Sequence, residues 1–210
     1  MNNKIYVAIL AGTFGTTAFA ESSVTVGYES LDATLSSGGV SVSTDGSGYS
    51  LSALIEIPDT NFGIIADYSS VSGSISGINW SISGTTLVAG YRVIDTLDAE
   101  TGTGAEVLLG LGYTSSTGDM TSGGTKYTVD GDATSVMAQV KGNLSPSISL
   151  AGQLASDIEG GSDPIIGLSL GYQITENGSI SMGYSSSSST STSGVKTELT
   201  GWSIGWTTSF

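Results

Sequence analysis

The sequence predicts an all-β fold, an antiparallel up-and-down transmembrane β-barrel of about ten strands. Three observations predict it. Apolar residues recur with period two along most of residues 21–210, a spacing that puts them on one face of a strand. The connections between the alternating segments are short and long by turns. The aromatic residues fall on the apolar faces at two levels, near the two ends of the segments. No apolar run beyond residue 20 is long enough for a spanning helix, so a closed barrel is the remaining way to cross a bilayer.

Residues 1–20 read as a signal peptide. Lys4 gives a short basic region, an apolar run starts at Ile5, and Ala18-Phe19-Ala20 fits the small-x-small rule for cleavage before Glu21. Gly12, Thr13, Gly15, Thr16 and Thr17 interrupt the stretch too often for a membrane anchor. Residues 21–210 then form one domain.

Strands are expected at 22–35, 47–57, 61–74, 80–94, 104–117, 132–144, 147–157, 164–175, 179–189 and 197–210. In the second, Tyr49, Leu51, Ala53, Ile55 and Ile57 oppose Ser50, Ser52, Leu54 and Glu56. The fourth is irregular, because Trp80 and Ile82 are out of phase with Leu87, Ala89, Tyr91 and Val93; a β-bulge would account for it. The fifth sets Ala105, Val107, Leu109, Leu111 and Tyr113 against Glu106, Leu108, Gly110, Gly112 and Thr114. The eighth sets Ile166, Leu168, Leu170, Tyr172 and Ile174 against Gly167, Ser169, Gly171 and Gln173. Eight strands is the alternative count, reached if 147–157 and 164–175 do not form a pair.

Tight turns are expected at 58–61, 144–147 and 175–178, and long polar loops at 36–46, 115–131 and 185–194. Outer-membrane barrels have short periplasmic turns and longer extracellular loops. With the first strand running outward, Phe62, Tyr91, Tyr172, Trp206 and Phe210 fall near the turn side. Tyr49, Tyr68, Tyr113, Tyr184 and Trp202 fall near the loop side. Two aromatic girdles around an aliphatic belt mark a lipid-facing exterior. A soluble β-sandwich also alternates, but it has no need of two aromatic rings.

In "GWSIGWTTSF", residues 201–210, Trp202, Ile204, Trp206 and Phe210 share one face and the chain ends on an aromatic. With its signal peptide, hairpins and terminal strand, the whole chain resembles the small Gram-negative outer-membrane barrel proteins. That resemblance implies that Trp202, Ile204, Trp206 and Phe210 are read by the barrel-assembly machinery. Thr208 departs from the family pattern, which prefers a more apolar residue there. It also implies the outer membrane as location, with its lipid and lipopolysaccharide as partners.

Charge excludes one class of partner. The chain holds 5 Lys and Arg against 19 Asp and Glu, a formal net charge of −14. Nucleic acid binding needs the opposite sign. Charges within strands stay off the lipid face: Glu29, Glu56, Asp67, Arg92, Glu106, Lys141 and Asp157 all alternate with apolar positions. Glu56, Asp67, Arg92, Glu106 and Lys141 come one each from the second to sixth strands, toward the turn side. They form either a selectivity ring in a pore or an ion-paired plug, and a narrow barrel filled by side chains favours the plug.

Catalytic and metal motifs are weak. "GLSLG" (167–171) and "GWSIG" (201–205) match G-x-S-x-G, but both lie inside expected strands and the chain has no histidine. The barrel enzymes that the chain resembles in architecture, the omptin-type proteases and the lipid A-modifying barrels, use histidine. "DGD" (130–132) offers Asp130 and Asp132 to calcium, yet lacks the rest of a calcium loop and reads as a turn. With no cysteine there is no disulfide framework. No cofactor is expected. The expected function is a non-enzymatic outer-membrane barrel with a structural or surface-interaction role. The alternative is a narrow porin-like channel for small polar solutes or ions. The sequence names no extracellular ligand.

Overall fold

The computed structural model describes residues 22–96, 103–158, 163–190 and 196–210. The signal peptide expected at 1–20 lies outside them. Ten antiparallel strands make one closed barrel: β1 (Ser23–Ser37), β2 (Val40–Glu56), β3 (Phe62–Ile75), β4 (Ile78–Asp95), β5 (Gly104–Ser122), β6 (Thr125–Ser145), β7 (Ile148–Asp157), β8 (Ile165–Thr175), β9 (Gly178–Thr190) and β10 (Lys196–Ser209). β7 pairs with β8 from Ile148–Tyr172 to Ala155–Ile165, which settles the count at ten. Closure by β1 on β10 leaves no sheet edge, as a lipid environment requires.

The alternation becomes two surfaces. Val26, Leu51, Leu87, Leu111, Val140, Leu168 and Ile204 point outward, exposed on the bare protein. Ser50, Ser52, Ser169, Ser181, Ser203 and Thr207 point inward and are buried. Both girdles take their expected places on the outer face. Register neighbours within them touch, with ring centroids 4.9 Å apart for Phe62–Tyr91 and for Tyr184–Trp202.

The loop side departs from expectation. Residues 36–46 and 115–131 are not loops but the far ends of β1, β2, β5 and β6, which run on to two-residue turns. Gly38 and Gly39 (φ 59° and 84°) and Gly123 and Gly124 (φ 56° and 83°) adopt the paired left-handed conformation of a tight hairpin turn, as do Ser76 and Gly77. "DGD" is accordingly not a turn: Asp130 and Asp132 lie in mid-β6, and Asp130 accepts a hydrogen bond from Thr117 Oγ1 at 2.9 Å. The Ser/Thr run continues β9 as far as Thr190; residues 191–195 lie outside the described residues.

Above the loop-side girdle the strands keep their period but exchange faces. Ser30, Asp32, Ser72 and Ser74 point outward there, while Leu31, Ala33 and Val71 point in. Water replaces lipid outside, so the polar residues move to the outer face. This explains Trp80 and Ile82 without the expected bulge. The β3–β4 register is unbroken, and both residues face the interior. The indole of Trp80 lies against Gly46 and Gly73, where any added Cβ would collide with it, and its Nε1 donates to Thr44 Oγ1 at 3.2 Å. The bulge in β4 comes later, between Arg92 and Ile94.

Candidate functional site

Inward charges gather at the turn-side end of the barrel. Arg92, near the end of β4, is held from three directions. Its Nη2 lies 2.6 Å from Glu56 Oε1 on β2, its Nε lies 3.0 Å from Glu106 Oε2 on β5, and its Nη1 lies 3.6 Å from Asp95 Oδ2. The Glu56 contact is a hydrogen bond, whereas Nε meets Glu106 as an ion pair without hydrogen-bond geometry; a planar guanidinium can face carboxylates on several sides where an ammonium would act as one point charge. The bulge at Val93 supplies the third contact. It pairs Arg92 with Leu108 but Asp95 with Glu106, so Asp95 turns back toward Arg92.

Lys141 of β6 is the register partner of Glu106 and lies within electrostatic reach of Glu106 and Glu56. Arg92, Glu56 and Glu106 have side chains only 11–18% exposed, and Lys141 is buried. Four of the five expected cluster residues therefore come together. Asp67 does not. It sits higher, opposite Ser52, whose hydroxyl donates to its carboxylate, and its charged neighbour is Glu29 of β1. Strand tilt sets the level at which inward residues meet, and tilt is not legible in one strand's sequence.

Sequence reasoning missed the apolar layer beside the cluster. Val88, Leu108, Met137 and Ala155 pack together on the inner wall, with Ile65 and Ile165 against them. Leu108 occupies the space left by Gly90, and Val88 that left by Gly110. The inner faces of β8, β9 and β10 carry chiefly Gly, Ser and Thr. At the seam, Thr25 and Thr207 share a buried hydroxyl–hydroxyl bond of 2.7 Å.

At the C-terminus, Trp202, Ile204, Trp206 and Phe210 all stand on the outer face, with Phe210 the most exposed at 73%. Its backbone N–H donates to Ser22 O at 3.0 Å, tying the last residue to the one just before β1. Thr208, the departure from the family pattern, accepts from Trp206 Nε1 at 3.1 Å, so its hydroxyl is used within the lower girdle.

On the hairpins outside the belt, Asp119 accepts from Thr128 Oγ1 at 2.6 Å and pairs with Lys126 Nζ at 3.1 Å. The Thr128 hydroxyl, then Lys126, holds the Asp119 carboxyl below its usual range. Ser169 and Ser203 are buried inward positions in mid-strand, not exposed nucleophiles. No group of three metal-ligating side chains occurs among the described residues.

A closed ten-strand barrel with an aliphatic belt between two aromatic girdles defines a transmembrane barrel of the outer-membrane type. Known structures agree. The chain shares its fold with the translocator domain of the autotransporter NalP from Neisseria meningitidis (12% identity, 91% of this chain and 89% of that one, TM-score 0.51). It shares it equally with the transport unit of the autotransporter AIDA-I from Escherichia coli (12% identity, 99% and 95%, TM-score 0.51). Neisserial surface protein A aligns at 17% identity over 89% of this chain and 97% of that one, with a TM-score of 0.45. No family model matches the sequence, and no curated protein matches it. The fold is that of the Gram-negative outer-membrane β-barrel proteins.

Proposed function

We propose that the protein is a closed, non-enzymatic barrel of the outer membrane, exported by cleavage after Ala20, with a structural or surface-interaction role. The observation that carries this reading is the Arg92 cluster. One guanidinium joins β2, β4 and β5 at the turn-side mouth through carboxylates that are themselves largely buried. A charge-selective pore needs side chains that water and ions can reach. These charges are instead spent on one another. The role then falls to the hairpins that rise beyond the loop-side girdle, and lipid and lipopolysaccharide surround the belt beneath them.

The porin-like alternative draws on the Gly, Ser and Thr lining of β8 to β10. It is the weaker reading because Ser169, Ser181, Ser185 and Ser203 are buried. Without a histidine, neither G-x-S-x-G serine has the usual base, which supports a non-enzymatic role. Single-channel recording of the refolded barrel in a planar bilayer tests the proposal. The expected record is a flat baseline at either polarity. Reproducible conductance steps would replace the closed barrel with the channel.

A further inference from the structure

We propose that the open edge of β6, residues 125–133, docks an extended segment of a partner protein in which basic and apolar residues alternate. β6 pairs with β5 along its whole length, but with β7 only from Ser135 onward. Ile158 extends that ladder by one bond, donating its N–H to Thr134 O at 2.9 Å, so the Thr134 carbonyl faces the β7 side. Backbone polar groups point to alternate sides along a strand, and the β5–β6 register is unbroken. Asp132, Asp130, Thr128 and Lys126 therefore direct both N–H and C=O the same way, with no strand beside them among the described residues. Residues 40–45 of β2 form a shorter open edge, across which Thr44 Oγ1 donates to Ser74 O at 3.3 Å.

The two faces of this edge define what fits it. Asp130 and Asp132 stand outward and exposed. Asp130 accepts from Thr117 through one oxygen, and Asp132 makes no hydrogen bond or ion pair among the described residues. Lys126 is already held by Asp119 at 3.1 Å, so both acids lack a base. Tyr127 and Val129 stand inward, with Met120 the register partner of Tyr127. An added antiparallel strand would set its basic residues against Asp130 and Asp132, and its apolar residues beside Tyr127 and Val129. Main-chain bonds to the edge supply affinity in such strand addition, and the side chains choose the partner. The same acids keep a second copy of this acidic chain off the edge, as charges on open edges do. The site stands above the belt, so it rests on the surface-interaction role and not on a closed lumen.

The test is binding of a fluorescent peptide, Lys-Val-Lys-Val-Thr-Val-Thr, to the refolded mature barrel, read by anisotropy. One comparator carries Glu for each Lys. Another is N-methylated at its Lys and Thr residues, which keeps the charges but removes the N–H groups that would face β6. The expected result is one lysine peptide per barrel, binding of the glutamate peptide weaker by more than about tenfold, and none of the methylated one. Asp130→Asn with Asp132→Asn should weaken the lysine peptide about tenfold, the scale of two exposed ion pairs. Thr128→Pro removes an edge-facing N–H, a change that an open edge tolerates, and should abolish binding while the heat-modifiable band persists. If that variant fails to fold, the methylated peptide probes the same bonds on the wild-type barrel. A lysine peptide that does not bind saturably would overturn the proposal. Equal binding of the methylated peptide would also overturn it, reducing the contact to charge attraction. Barrels that sediment as dimers and exclude the peptide would place a second copy on the edge instead. Peptide binding to a barrel that conducts would uphold this site and overturn the closed lumen alone.

Discussion

Arg92 binds Glu56 at 2.6 Å although the two residues stand on strands that are not neighbours. β3 lies between them, and at that level it presents Gly63, the register partner of both Glu56 and Gly90. A longer side chain at 63 would stand in the path of the guanidinium. The bridge therefore depends on a residue that makes no contact through a side chain of its own.

Gly63→Leu should accordingly unfold more easily in urea, by an amount comparable to the loss of the bridge itself. Gly63→Ala is the control, since an added Cβ meets nothing nearer than the Ile55 carbonyl at 3.6 Å. In a double-mutant cycle, Gly63→Leu and Arg92→Ala should fall well short of additive, because both remove the same interaction. Additive losses would mean that the leucine acts by overpacking instead.

The face exchange above the girdle makes a spectroscopic prediction. Trp202 and Trp206 face lipid, whereas Trp80 faces the interior beyond the belt. In vesicles of brominated phospholipid, a variant keeping Trp80 alone should retain its fluorescence. Variants keeping Trp202 alone or Trp206 alone should be strongly quenched. Equal quenching of all three would put Trp80 on the lipid face and restore the bulge.

Topology is open to labelling, because the chain has no native cysteine. Ser37→Cys at the tip of the first hairpin should react with an impermeant thiol reagent on intact cells, and Asn177→Cys in the turn before β9 should not. The reverse pattern would invert the barrel.

Removing Phe210 should slow folding into the outer membrane while leaving signal cleavage and export intact. The readout is the heat-modifiable band on gels. A normal amount of that band after the deletion would mean that Trp202, Ile204 and Trp206 suffice.

Most of this was legible in the sequence where one physical signal dominated. Lipid on one side fixes the outer face between the girdles, so the alternation of β5 and β8 gave both the strands and their faces. The same alternation continues through Leu31, Ala33, Val40 and Val42 with its sense reversed. Read against lipid, those residues look like loop. The Gly38-Gly39, Ser76-Gly77 and Gly123-Gly124 pairs were the available signal that these segments are hairpins. Asp67 was misplaced for another reason. Its inward direction follows from alternation within β3, but its level relative to Arg92 follows from how neighbouring strands are staggered. Trp80 is the residue where the mismatch was visible in advance, as a phase error whose cause lay in the surroundings and not in the backbone.

The central claim, that Arg92 and the carboxylates of Glu56 and Glu106 form an ion-paired cluster largely shielded from water, is tested most directly by the unfolding free energy of Arg92→Ala. Glu56 and Glu106 would then be left with Lys141 as the inward base beside them. Removing one partner of a buried ion pair costs about 3–5 kcal/mol, and a urea titration of the refolded barrel should show a loss approaching that. A loss below about 1 kcal/mol, the scale of water-screened pairs, would mean that the lumen is wet and the closed barrel is wrong.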